Sequence, residues 1–423
     1  MSCTSITCEV GTSSDPIWKF LIMPVMSGIV GWGTNWLALK MTFYPVEFFG
    51  LELYRIPDQP LGLFGWQGII PTKAAKMAGT CTDLMTTKLI NVKEVFSRLD
   101  PGKFSDAMEP GMITMMDTII NETAVKMLPT VWEFLPTEVR DEIVLKSLEE
   151  APKFMKNFMD DVKEHIDDIF DLKTMVISKC VEDKQLLNDI FQACGDKEFR
   201  FIEVSGFYFG FMFGIIQTVI WAFYTGSWLL PFCGFMVGIA TNWIALKIIF
   251  EPVKPTKLFF GLCFEFQGMF LKRQDFVSDV FANVNCTKVL TTEAMWNAIL
   301  TGPRKANFFK LLKAHTLIFT ENLAGGLKPV VVAAIGAEGF KDMKEEIAAR
   351  TMETLPTVIH YSYDYSTEAL DMERTIAKAM KGLSSAEFER VLHPVFEEDE
   401  AKLIFVGGVL GLTVGVAQLF FLF

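Results

Sequence analysis

The chain has 423 residues, 51% of them hydrophobic, and a formal net charge of -12. A mean hydropathy of +0.31 is high for a soluble globule, so the excess apolar surface needs somewhere to go. The acidic balance, with Lys and Arg scattered along the chain, excludes the basic footprint of a nucleic-acid binder, and the eight cysteines form no CxxC pair or framework spacing that would indicate a zinc site or a disulfide scaffold.

In chain order, residues 1–16 form a polar tail carrying Glu9 and Asp15, not the basic n-region of a cleavable leader. The long apolar stretch at 17–43 therefore reads as a span. Residues 44–70 are too apolar for a free loop and too broken for a span, which suggests an interfacial element that turns the chain out of the membrane; Trp66, Gln67, Gly68 and Pro71 mark its exit. Residues 71–201 form a first polar insert. Phe154, Phe158, Val162, Ile166 and Phe170 recur there at every fourth position, as on an amphipathic helix, and Pro101, Pro110, Pro129, Pro136 and Pro152 divide the segment into several helices. A second span at 202–224 is followed, after a very short joint, by a third at 228–250, a second interfacial element at 251–270, a second helical insert at 271–401 and a last span at 402–423. Each span offers roughly 20 apolar residues, enough at about 1.5 Å per residue to cross a hydrocarbon core of about 30 Å. No run shows the period-two alternation of a sheet. The expected fold is all-α: an integral membrane protein with four transmembrane helices.

The spans repeat one another. PVMSGIVGWGTNWLALKMTF, from Pro24, is answered by PFCGFMVGIATNWIALKIIF, from Pro231, at one constant offset. Gly206, Gly210, Gly214 and Gln217 are answered by Gly407, Gly411, Gly415 and Gln418. The expected architecture is a tandemly duplicated unit of span, helical insert and span, with a pseudo-two-fold axis along the membrane normal. The short joint places both inserts on one membrane face. Lys40, Arg55, Lys197, Arg200, Lys247, Lys254, Lys257 and Lys402 flank the spans on that side against Lys19 on the other, which makes it the cytoplasmic or equivalent side of a multi-pass membrane protein.

Small residues share a face with one amide in every span. Ser27 and Gly31 align with Asn35, Gly234 and Gly238 with Asn242, Gly206, Gly210 and Gly214 with Gln217, and Gly407, Gly411 and Gly415 with Gln418. Counted from Pro24, Asn35 falls near the bilayer midplane. Thr34, Asn35, Gln217, Thr241, Asn242 and Gln418 are therefore expected to form an intramembrane polar cluster, with the amides meeting near the repeat axis. Two readings stay open: hydrogen-bonded glue for the bundle, or a solute or ion site at the repeat interface. Lys40 and Lys247, close to the insert-side ends, read as interfacial anchors that reach the headgroups, and Trp36 and Trp243 as packed within the bundle.

The TNW-[LI]-A-L-K cores at Thr34–Lys40 and Thr241–Lys247, the GWQGIIPTKAAKMA segment and the C-terminal HPVFEEDEAKLIFVGGVLGLTVGVAQ resemble domain-of-unknown-function family 445. The resemblance extends over nearly the whole chain and implies a membrane-anchored helical protein with no established reaction. Leu271 stands where the first copy has Pro71, and GDKEFRFIEVSG departs from the corresponding C-terminal pattern.

Motifs for phosphate loops, zincins, serine hydrolases and dinucleotides are absent, and His165 among its acidic neighbours reads as a solvated helix face. The expectation is a non-enzymatic protein without catalytic residues, cofactor or metal, whose partners are the lipid bilayer and a protein or lipid at the inserts. It is a structural or partner-binding scaffold; the alternative is a lipid-handling or small-solute transport protein. Met108, Met112, Met115, Met116, Met155 and Met159 are compatible with a lipid groove or with a packed core.

Overall fold

The computed structural model describes residues 17–55, 59–224, 226–257, 265–325, 328–392 and 394–422. The protein is predominantly α-helical, and four helices are long and apolar enough to cross a membrane. They lie in Ile17–Phe43, Gln185–Phe223, Leu229–Phe250 and Pro394–Leu422. The second begins well before the expected boundary at 202. No proline stands between Pro152 and Pro231 to stop it, and its polar first half buries Leu187, Ile190, Phe191 and Cys194.

The chain divides into two compact units. One comprises Met1–Cys81, Cys180–Val284 and Ala377–Phe423 and holds the four long helices. In it the first helix packs most closely on the second, and the third on the fourth. Glycines set the distance. A Cβ built on Gly31 would stand 2.2 Å from the carbonyl oxygen of Gly206, and one on Gly206 would stand 2.3 Å from that of Gly31. In the other pair a Cβ on Gly238 would lie 2.1 Å from Gly407 O, and one on Gly411 2.0 Å from Gly234 O. Any larger residue would push the backbones apart. The outward faces are apolar, with Leu21, Ile29, Phe211, Ile215, Phe232, Met236, Phe405 and Val409 exposed. Trp36 and Trp243, expected to pack, belong to these faces at 40% and 51% exposure. Asn35 and Asn242 take the inward positions, which turns the adjacent indoles outward.

The expected absence of strands is corrected at the interfacial elements. Phe49–Arg55 pairs antiparallel with Leu61–Trp66, and Thr256–Lys257 with Glu265–Phe266. In FGLELYR the alternation of Phe49, Leu51 and Leu53 with Gly50, Glu52 and Tyr54 is short, and LGLFGW carries glycine or apolar residues on both faces, so the pair is only weakly announced.

The second unit joins Thr82–Lys179 to Asn285–Ile376. Two segments expected as separate inserts thus build one helical body with a shared core. Phe158 meets Phe308 edge-on at 5.6 Å, Phe154 meets Phe319 at 5.1 Å, and Phe104 meets Trp296 at 5.6 Å. His315 Nε2 lies 2.7 Å from Asp161 Oδ2 across the same boundary. Met108, Met112, Met115, Met116, Met155 and Met159 are all buried here, around a residual cavity of only about 10 Å³. They pack as part of the shared core. Asp100 accepts from the Lys103 amide at 2.9 Å to start the helix Pro101–Met127, with proline at its first position.

Truncating Phe308 to alanine should cost about 3–5 kcal/mol, measured by denaturant unfolding. Cys286 is half-buried, and its thiol is pushed up to about 12 by desolvation, with Glu373 and Asp371 adding to the effect. Cys81 is buried, and burial and the neighbouring Cys180 raise its thiol likewise. The Cys81 thiol should not react with a maleimide at pH 8 in the native protein, the half-buried Cys286 thiol should react only slowly, and both should react fully after denaturation, as read by peptide mass.

Candidate functional site

The polar groups of the span helices are buried by the same faces that carry the glycines. Asn35, 0% exposed, donates from Nδ2 to the carbonyl oxygen of Ile202 at 2.7 Å. Asn242, also buried, donates from Nδ2 to the carbonyl oxygen of Leu403 at 2.8 Å. The two amides therefore do not meet. Each ties one span helix to the backbone of the helix it packs against, at positions that match under the sequence repeat. Thr34 and Thr241 turn back to carbonyls of their own helices, at Gly31 and Val237. Gln217 accepts from Ser27 Oγ at 3.1 Å. In the second copy Gly234 replaces that serine, and Gln418 is half-buried with no hydroxyl at the equivalent place. Among the described residues, none of the six expected as one polar cluster hydrogen-bonds to another.

The carbonyls that the two asparagines bind lie next to charged residues. The apolar run of the second helix begins at Val204, and the partner carbonyl at Ile202 lies just outside it, next to Arg200 and Glu203. Leu403 likewise follows directly on Lys402. Within their own helices Asn35 and Asn242 stand inside the apolar segments Phe20–Phe43 and Leu229–Phe250, each five residues before a lysine, Lys40 and Lys247. A further polar station is Ser27–Gln217, where a Cβ on Gly214 would stand 2.6 Å from Pro24 Cα.

An acid does accompany these groups. Glu198 is 1% exposed, and Arg273 Nη1 reaches its two carboxylate oxygens at 2.7 and 2.8 Å. Its signal was available: Glu198, Ile202 and Gly206 recur at every fourth residue, so the glutamate shares the inward face. No local pattern announces that Arg273, 75 residues further along the chain, would come to meet it. Beside Glu198 lies a cavity of about 40 Å³ between Cys194, Ile202, Leu246, Ile249 and Phe270, with an almost wholly apolar lining.

The Gln-Gly pairs serve the ends of the first and third helices. Gln67 is buried and donates from Nε2 to Val46 O at 2.7 Å, Gly68 N donates to Pro45 O at 2.8 Å, and Trp66 Nε1 donates to Met41 O at 3.2 Å. Gln267 and Gly268 make the corresponding bonds to Val253 and Pro252. Tyr44–Pro45 and Glu251–Pro252 are both cis. A Cβ on Gly68 would meet the Phe43 carbonyl carbon at 2.7 Å, so the exit segment lies directly on the helix end. Pro71 is buried in the short helix Ile69–Thr72 that follows. Lys40 stands 5.4 Å from the Tyr44 ring centroid, whereas Lys247 is paired with Glu251.

Among the described residues no group of three or more His, Cys, Asp or Glu side chains is placed to hold a metal ion. No protein-family model, curated protein or solved structure matches the chain, so the resemblance to family 445 rests on the motifs quoted above.

Replacing Gly206 or Gly407 with alanine should destabilise the protein by about 1–3 kcal/mol in thermal unfolding in detergent, since a methyl group there meets backbone or an amide that is already bonded. Arg273→Met should cost about 3–5 kcal/mol by leaving Glu198 buried and unpaired, and Glu198→Met with Arg273→Met should recover most of that loss.

Proposed function

We propose that the chain is a multi-pass membrane protein built from a duplicated unit of span, helical insert and span, and that it acts as a non-enzymatic scaffold displaying its helical body on one membrane face. The observation that carries this reading is how the buried amides are used. Asn35 and Asn242 are committed to the carbonyls of Ile202 and Leu403, as packing bonds are. The matched pairs of bonds and glycine contacts, at positions related by the sequence repeat, support the duplication. The motifs shared with family 445 point the same way.

The tightly filled core of the helical body supports display of a surface to a protein partner over storage of a lipid within it. A transport reading draws on the same amides and would need them free to exchange partners. Two measurements separate the readings. Asn35→Leu and Asn242→Leu should each cost about 0.6–2 kcal/mol in thermal unfolding, while proteoliposomes should show no ion or solute flux with either the native or the substituted chain. A native flux abolished by Asn35→Leu in a bundle of unchanged stability would reverse the choice.

Topology has its own test. Single cysteines at Leu145, Val330 and Ser227, all exposed positions, would be introduced where the accessible natural thiols have been replaced. In sealed vesicles an impermeant maleimide should label positions 145 and 330 from one side and 227 from the other. Labelling of 145 and 330 from opposite sides overturns the duplicated topology.

A further inference from the structure

An open cleft of about 330 Å³ lies where the first and second span helices leave their apolar runs, lined by Lys40, Tyr44, Gln192, Asp196, Arg200 and Glu203 over a floor of phenylalanines. Its depth follows from the packing register. Asn35 is level with Ile202, so the Lys40 turn of one helix faces the 196–200 stretch of the other, just beyond the apolar run that starts at Val204. If Val204 marks the edge of the hydrocarbon, the cleft sits among the headgroups.

Its charges are uncommitted. Lys40 meets only the ring of Tyr44, and among the described residues Asp196, Arg200 and Glu203 make no ion pair or side-chain hydrogen bond. Two cations and two carboxylates thus converge on one space without neutralising one another. The equivalent place in the second copy is different. Lys247 is bound by Glu251, Ala401 stands at the position of Arg200, and Ile404 at that of Glu203. The set is peculiar to the first copy, so a general need for positive flanks does not account for it.

We propose that this cleft binds the headgroup of a glycerophospholipid bearing a primary ammonium, with its phosphate between Lys40 and Arg200 and its ammonium on Asp196 and Glu203. The balance of signs selects the class. A purely anionic headgroup would face two carboxylates, and a quaternary ammonium would bring no N–H donor to them. Below the charged groups, Trp36 lies one turn from Lys40 and Val204 one turn from Arg200, both exposed, and they offer an apolar path for the acyl chains.

The inference rests on the membrane reading above, so membrane residence is scored first, by retention of the full chain in the pellet after alkaline carbonate extraction. Extraction into the supernatant overturns that reading and this site with it. Native mass spectrometry of the full chain, exchanged into detergent with added phosphatidylethanolamine or phosphatidylglycerol, then tests the site alone. One phosphatidylethanolamine should remain bound in preference to phosphatidylglycerol and should resist displacement by inorganic phosphate. The double variant Lys40→Gln, Arg200→Gln should lose occupancy by about tenfold or more, while Lys247→Gln should keep it. Equal retention of phosphatidylglycerol, displacement by inorganic phosphate, undiminished binding in the double variant or an equal loss in Lys247→Gln overturns the proposal. The headgroup comparison on the native chain decides the matter even where the double variant fails to fold.

Discussion

The close approach of glycine backbones is the constraint from which the membrane-type unit is assembled. Gly31 and Gly206 stand so near that neither can carry a Cβ, and Gly238 with Gly407 repeats the arrangement. Where lipid replaces water, apolar side chains gain little from leaving the solvent, and helices associate through contact and interhelical hydrogen bonds. Contact at this distance is what allows the short Asn35 and Asn242 side chains to reach a neighbouring backbone carbonyl. The amide bonds depend on the glycines. A spacing wider by one methyl group would remove both.

The other polar groups of that unit fall into place around these seams. Glu198 occupies the same helix face one turn beyond Ile202 and is held by Arg273, so the bundle buries a charge pair beside a small, largely apolar cavity. Such a pair contributes little net stability against an apolar substitute, but removing one partner is costly. The Gln-Gly segments close the ends of the first and third helices through backbone bonds, which assigns the interfacial elements an architectural task before any other. The charges left over at the cleft near Lys40 are set apart by having no such task.

The helical body is held by a close-packed core of aromatic residues and methionines. Phe104, Phe158 and Phe308 with the buried methionines leave almost no void, and the aromatic contacts run between the two segments of chain that form the body. Neither segment owns the core. Reading them as separate inserts was natural, because amphipathic periodicity reports that a helix has a buried face and is silent about which helix covers it.

Much was legible in the sequence. The four apolar runs, their internal repetition, the glycine faces and the placing of the asparagines on those faces follow from hydropathy and from a periodicity of 3.6, which are local properties of the chain. Tertiary structure decided which groups meet. Asn35 could have faced Asn242, and only the antiparallel register of the first and second helices delivers it to Ile202 instead. Trp36 and Trp243 face outward because the neighbouring asparagines occupy the seam. Arg273 finds Glu198 across a long separation in sequence. The strands near Phe49 and Leu61 left only a short alternation to read. Local pattern determines what each element is, because it depends on residues a few positions apart. Partnership depends on register and close approach between distant segments, and no single segment encodes either.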